Sequence, residues 1–321
     1  MPADDPLDLA DDQQDFRAGF VAVMGRPNTG KSTLINALLQ QNIAAVSPKP
    51  QTTRKRQMGI LTLEDAQIIF EDTPGVHKPL HKLGECMNQE AVDALEDADL
   101  VIFTVDASVP PNEEDELLAG VVNRATARIN QPVVLVINKI DLVDDETLDV
   151  HQQAYQALAP NAEPVRVSAT LPANLEGLLE VLQRHLPVHP PFFPEDQLTD
   201  LYERDIAADL IRAAALDNLH AEVPYSIAVR IDDYQERNEH GAYIAATLFV
   251  ERDSQKGIVI GQGGSKLKEI GTAARQAIEV MSGRRVFLKL RVKVRKNWRN
   301  DKSSLRQFGY NLDKVKPILP E

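Results

Sequence analysis

The sequence predicts two folds in tandem: an α/β domain on a mostly parallel, doubly wound sheet, then a smaller α+β domain. Three observations predict it. Short apolar runs alternate with helix-period segments over residues 18–187. Four prolines then fall in the eight residues from Pro187 to Pro194, which neither a helix nor a central strand tolerates. Beyond them the order becomes helix, strand, strand, helix, helix, strand.

The elements follow in chain order. Phe20–Met24 is a short apolar run, as a buried strand requires, and Ser32–Leu39 has helical spacing. Further buried strands are predicted at Ile68–Phe70, Leu100–Val105, Val133–Ile137 and around Val165–Val167. Helices are predicted over 85–97, 113–128, 145–158 and 174–186. Gln57–Leu63 alternates instead and sits beside Ile68–Phe70, so the pair reads as a hairpin adding an antiparallel edge strand. The second domain is predicted to open with a helix over 198–219, followed by strands at Tyr225–Ile231 and Ala242–Val250. Short and long helices follow at Ser254–Val259 and Ser265–Met281. In the last strand, Arg284–Val294, Val286, Leu288, Leu290 and Val292 alternate with Arg285, Phe287, Lys289, Arg291 and Lys293. This divides the chain into an acidic disordered tail (1–17), a first domain (18–187), a proline-rich linker (188–197) and a second domain with a basic end (198–316).

Composition narrows the class. Of 321 residues, 43% are hydrophobic and 26% charged, the balance of a soluble globular protein. Cys86 is the only cysteine, which excludes an intrachain disulfide and suits a reducing compartment. No apolar run approaches the ~18 residues that span a bilayer. The acidic N-terminal stretch does not read as a secretory signal. A cytoplasmic location is expected. The net charge of −13 hides an asymmetry. Residues 1–190 hold 14 basic and 29 acidic residues, whereas residues 252–316 hold 17 and 5. Local charge decides where a polyanion docks, so the C-terminal part is the candidate.

Gly25-Arg26-Pro27-Asn28-Thr29-Gly30-Lys31-Ser32 is a phosphate-binding P-loop between a predicted strand and a helix, continuing into Thr33. Its backbone N–H groups and the helix N-terminus cradle phosphates. Lys31 is placed to reach the β- and γ-phosphates and Ser32 to ligate Mg²⁺. Asp72-Thr73-Pro74-Gly75 supplies a second Mg²⁺ carboxylate and an N–H for the γ-phosphate. In Asn138-Lys139-Ile140-Asp141, the Asp141 carboxylate can accept from guanine N1–H and its 2-amino group, a pattern adenine lacks. Asn138 and Lys139 would buttress the loop and base. The backbone of Ser168-Ala169-Thr170 can meet the guanine oxygen. Each of these is an ordinary turn sequence alone; in this order, each after a strand, they resemble the nucleotide-binding elements of the translation-factor-related GTPases. Gln51-Thr52-Thr53-Arg54 takes the place of the first switch, with Thr53 favoured as the Mg²⁺ ligand. Val76 stands where Ras-like GTPases carry a water-orienting glutamine, so slow intrinsic GTP hydrolysis is expected. Asn28 resembles the K⁺-binding asparagine of cation-stimulated GTPases, though shaping the loop explains it equally well. His77 and His81 lie in the second switch, as polar loop residues or as a catalytic base.

Ile260-Gly261-Gln262-Gly263-Gly264-Ser265-Lys266 places a G-x-x-G loop between two helices, with Lys268 following and the basic strand after it. That order resembles the type II KH fold, whose loop clamps the backbone of about four nucleotides. Lys266, Lys268, Arg285, Lys289, Arg291 and Lys293 are expected to flank the groove, and Trp298 either packs or stacks on a base. The joined pattern over residues 18–316 resembles the Era family of bacterial GTPases. The resemblance implies hydrolysis of GTP to GDP with Mg²⁺, and binding near the 3′ end of small-subunit (16S) ribosomal RNA. It further implies a part in maturing the 30S subunit, a monomeric state and peripheral contact with the inner face of the cell membrane. No residue pattern carries the membrane contact.

Overall fold

In a computed structural model the chain is described for residues 16–312 and 315, apart from 42, 48, 50, 239 and 240. The first sheet forms where the apolar runs fall: β1 (Arg17–Met24), β2 (Gln57–Thr62), β3 (Ala66–Asp72), β4 (Leu100–Asp106), β5 (Val133–Asn138) and β6 (Glu163–Arg166). Helices α1 (Lys31–Leu39), α2 (Lys82–Asp97), α3 (Glu113–Ala127), α4 (Asp145–Leu158) and α5 (Leu175–His185) cover it. The strand order is β2-β3-β1-β4-β5-β6. Only β2 runs antiparallel, with Ile60 opposite Ile69, as the hairpin pattern predicts. Every residue of β3 and β4 is buried, which is why those strands read as apolar runs rather than alternations. Leu34, Leu38 and Leu182 pack one face of the sheet; Leu95, Leu118 and Tyr155 pack the other. Arg17 already pairs with Ala66, so the first domain starts one residue earlier than predicted. The rest of the expected acidic tail, up to residue 15, lies outside the described residues.

The proline-rich linker lies along the first domain as a strap. Ala18 N–H donates to Pro187 O at 3.1 Å and Phe192 packs edge-on to Phe20. Gln67 grips it from the sheet, accepting from Phe192 and Phe193 N–H (2.8 and 3.0 Å) and donating to Phe193 O (2.9 Å). The predicted helix at 198 starts only at Glu203. Leu198 and Thr199 instead satisfy the free edge of β2, through Ile60 N–H to Leu198 O and Thr199 Oγ1 to Met58 O.

The second domain comprises α6 (Glu203–Asn218), β7 (Ala228–Asn238), β8 (Gly241–Val250), α7 (Asp253–Ile260), α8 (Ser265–Ser282), β9 (Arg285–Val294) and α9 (Lys302–Gln307). Its sheet order is β7-β8-β9, antiparallel then parallel. Ile211, Ile244, Leu248, Ile270 and Ile278 fill the core between the helices and one sheet face. The α9 turn, absent from the sequence reading, packs with buried Trp298, whose indole N–H donates to Ser226 O at 2.7 Å. Trp298 is therefore a core residue and is not available to stack on a base.

Candidate functional site

The loops after β1, β3, β5 and β6 all emerge at the carboxyl edge of the sheet, where ligands of open α/β sheets bind. The P-loop turns left-handed at Asn28 (φ 68°) and Gly30 (φ 93°). A Cβ on Gly30 would strike the Asn138 amide, and one on Gly75 would lie 2.7 Å from Pro27 N. Glycine at these places thus lets the loops after β1, β3 and β5 close on each other. Arg26 is locked to buried Asp115 at 3.1 Å, and Thr29 Oγ1 donates to Arg26 O. Lys31 is buried and donates to Gly25 O and Arg26 O at 3.0 and 3.1 Å. Burial pushes its ammonium down to about 8. Pro27, Asn28, Lys31, Thr33, Thr53 and Gly75 are among the residues that line the cleft above.

Three oxygens converge there from three segments. Ser32 Oγ donates to Asp72 Oδ2 at 2.6 Å, Thr53 Oγ1 reaches the same oxygen at 2.9 Å, and the two hydroxyls lie 3.0 Å apart. Asp72 Oδ1 is buried with no hydrogen-bond partner among the described residues. Burial holds the carboxyl above its ordinary range, against the pull of Ser32 and Lys31. A hard-oxygen set with an unused carboxylate atom fits Mg²⁺. Thr52 lines the cleft but its hydroxyl is engaged by Lys49 O, to which it donates, and Thr73 is pinned in the core on Val23 O. Val76 is buried against Met24 and Leu95, so no side chain at that place orients water. His77 Nδ1 lies 2.9 Å from Gly75 O, and Asn88 holds its backbone at both ends.

At the other end, Asn138 ties the loops together, donating to Thr29 O (2.9 Å) and accepting from Ala169 N–H (3.2 Å). Lys139 donates to Asn28 O and pairs with Asp106 at 2.6 Å. Asp141 is exposed and accepts from Ser168 Oγ at 2.5 Å. Thr170 is exposed beyond it.

Arg54 is the residue whose place sequence reasoning missed. It does not face the cleft. It crosses to the second domain, donating to Ile227 O (2.7 Å) and Tyr225 O (3.0 Å), with its guanidinium 6.0 Å from the Trp298 ring centre. Burial, with Arg212 nearby, pushes it down to about 10. Arg212 in turn donates to Gln51 O, and Lys49 to Leu216 O at 2.6 Å. On the far side of the site, Leu83, Cys86 and Met87 of α2 pack with Phe249, Trp298 and Tyr310. Both segments that flank the cleft therefore rest on the second domain.

In that domain the glycine loop is built as its sequence requires. Gly261, Gly263 and Gly264 have φ of 72°, 59° and 82°, and a Cβ on Gly263 or Gly264 would meet nothing within 4 Å. The glycines serve backbone shape and leave room for a close approach. Ile260 ends α7, Gln262 is exposed, and Ser265 starts α8. Lys266 pairs with Glu269. The groove between α8 and β9 is lined by Gly264, Leu267, Lys268, Gly271, Leu288 and Leu290. Lys268 lines it. Arg285, Lys289, Arg291 and Lys293 do not, because strand side chains alternate and the groove uses the even-numbered residues of β9. Arg291 is also bound to Asp232 at 3.0 Å.

Fold and site together define a P-loop GTPase joined to a KH domain. A model of the "50S ribosome-binding GTPase" family matches residues 20–139, and a KH-domain model matches 222–299. The GTPase Era of Geotalea daltonii is 44% identical over 298 residues, covering 93% of this chain and 99% of its own. Era solved with MgGDPNP and nucleotides 1506–1542 of 16S ribosomal RNA superposes with a TM-score of 0.86, at 39% identity over 92% of this chain and all of its own. A single-residue variant of Aquifex aeolicus Era bound to GDP·AlF4⁻ gives the same values. The chain belongs to the Era family of GTPases.

Proposed function

We propose that this GTPase is a GTP-operated switch that binds 16S ribosomal RNA near its 3′ end and assists 30S subunit assembly. The observation that carries the reading is the adjacency of Thr53 and Arg54: one faces the Asp72 oxygen, the next bolts the KH domain. A change of nucleotide that moves Thr53 must act on the Arg54 anchor one residue away.

In this reading Gly25–Thr33 and Gly75 cradle the phosphates, and Lys31 neutralises their charge. Asn138, Lys139 and Asp141, with the Ser168–Thr170 backbone, select guanine. Ser32, Thr53 and Asp72 hold Mg²⁺, which when bound draws charge from the phosphate oxygens. Arg26 acts through its Asp115 pair, fixing the loop. Asn28 lines the cleft in a left-handed turn, which supports its candidacy as a K⁺ ligand. With Val76 buried, turnover rests on positioning and charge rather than on a side-chain base. Residues 260–268 receive the RNA backbone. In this reading the chain works as a GTPase domain over 17–187 and a KH domain over 198–316, with residues 188–197 acting as a strap. The protein works as a cytoplasmic monomer. Its contact with the inner membrane face is peripheral; among the described residues no helix is long and apolar enough to cross a membrane.

The test is GTP turnover with and without a single-stranded RNA from the 16S 3′ end, run in K⁺ and in Na⁺. RNA stimulation with a K⁺ preference is expected. Turnover indifferent to RNA, despite tight binding, would separate the two activities and overturn the switch.

A further inference from the structure

The KH sheet has two faces, and the glycine-loop groove uses one of them. The other carries the odd-numbered residues of β8 and β9. Near Phe249 this face is covered by the segments on either side of α9, since Phe249 packs with Trp298 before it and Phe308 after it. Six residues away along β8, about 20 Å at strand rise, it is open. There Arg237, Tyr243 and Phe287 form a ladder across the three strands. The Arg237 guanidinium lies 5.0 Å from the Tyr243 ring centre. The Tyr243 and Phe287 rings stack at 5.8 Å and 13°. Tyr243 sits directly opposite Phe287 in register. Because β9 is the edge strand, no strand lies beyond Phe287 among the described residues, and its side is 65% exposed. Arg285 and Lys289 flank it two residues away on the same face, both exposed. An exposed phenylalanine between two cations on a sheet edge is the arrangement that stacks a base and holds its phosphates.

We infer that Phe287, with Arg285 and Lys289, forms a second RNA site on the outer face of the KH sheet, where an unpaired base stacks on the free side of the Phe287 ring. The inference rests on the RNA-binding reading above and extends it. A KH groove holds about four nucleotides, whereas the RNA bound by the related Era spans 1506–1542. A longer RNA leaving the groove over the β9 edge meets Phe287 next, since Leu288 lines the groove and Phe287 precedes it on the opposite face.

The experiment compares two RNAs on the full chain: a five-nucleotide RNA that only fills the groove, and one with the whole 1506–1542 sequence. Phe287→Ala is expected to weaken the long RNA by roughly 5- to 150-fold and to leave the short one unchanged. Phe287→Trp should restore the affinity, because indole also stacks. Gly263→Asp should abolish binding of the short RNA and only weaken the long one. No change for the long RNA with Phe287→Ala overturns the second site. So does an equal loss for both RNAs, which would make Phe287 a support for the groove. Wild-type protein that binds neither RNA overturns the RNA-binding reading itself, and shows it before any variant is made.

Discussion

Replacing Arg54 by alanine should undock the KH domain without unfolding either domain. Arg54 is 2% exposed and its guanidinium donates two hydrogen bonds across the seam, to Ile227 O and Tyr225 O. Charge-assisted bonds of this kind contribute about 1.5–3 kcal/mol each, roughly 3–6 together. Burial offsets part of this. The group is pushed down to about 10, equivalent to roughly 3 kcal/mol of lost preference for the charged form. The net contribution to docking is therefore on the order of 0–3 kcal/mol, a factor of up to about 150 in the docking equilibrium. Cysteines introduced at Val150 and Val280, which are 60% and 72% exposed, would carry a fluorescence-transfer pair. The ratio of docked to undocked molecules should fall by that factor in Arg54→Ala, while thermal unfolding of the GTPase domain stays in place. An unchanged transfer distribution, with GDP and with GDPNP alike, would refute the assignment of Arg54 as the bolt.

Three further outcomes follow from the same geometry. Lys31→Ala should lower phosphate release by about 10²–10³-fold, the loss of one preorganised charge at the phosphates; turnover that survives would mean the P-loop cleft is not where hydrolysis occurs. Asp141→Asn should weaken GTP by at least ~100-fold and shift preference to xanthosine triphosphate; measured affinities that fall equally for both nucleotides would contradict guanine reading by Asp141. Burial pushes the Cys86 thiol up to about 11, so about one thiol in a thousand is ionised at pH 8. A disulfide reagent should barely react with native protein at pH 8, and the rate should rise about tenfold per pH unit towards 11. Fast reaction at pH 8 would show the seam around Cys86 to be open.

The GTPase half was legible because its chemistry depends on local sequence. A P-loop needs glycine where φ is positive, and Gly30 stands there; fully buried strands read as unbroken apolar runs, and β3 and β4 are such strands. The Ser32, Thr53 and Asp72 oxygens were predicted from three separate motifs and meet within 3.0 Å. What the sequence hid depends on long-range packing. Nothing local marks Arg54 as pointing away from the nucleotide, because its partners are backbone carbonyls 171 and 173 positions later. The sequence marks 188–197 as a proline-rich linker but not how it is held, because a proline run carries no sign of the Gln67 that grips it. The period-2 pattern of β9 separated an apolar from a basic face correctly; which face borders the groove depends on where α8 packs, and no residue of β9 encodes that.

The central claim is that nucleotide state and RNA affinity are coupled through the Thr53–Arg54 hinge. The most direct measurement is the affinity of the 16S 3′-end RNA for the protein loaded with Mg-GDPNP and with Mg-GDP, with the reciprocal titration of nucleotide in the presence of RNA. Coupling predicts tighter RNA binding with GDPNP, by about 5–150-fold, and an equal factor in the preference for GDPNP over GDP when RNA is bound. Equal RNA affinity in the two states would contradict the switch.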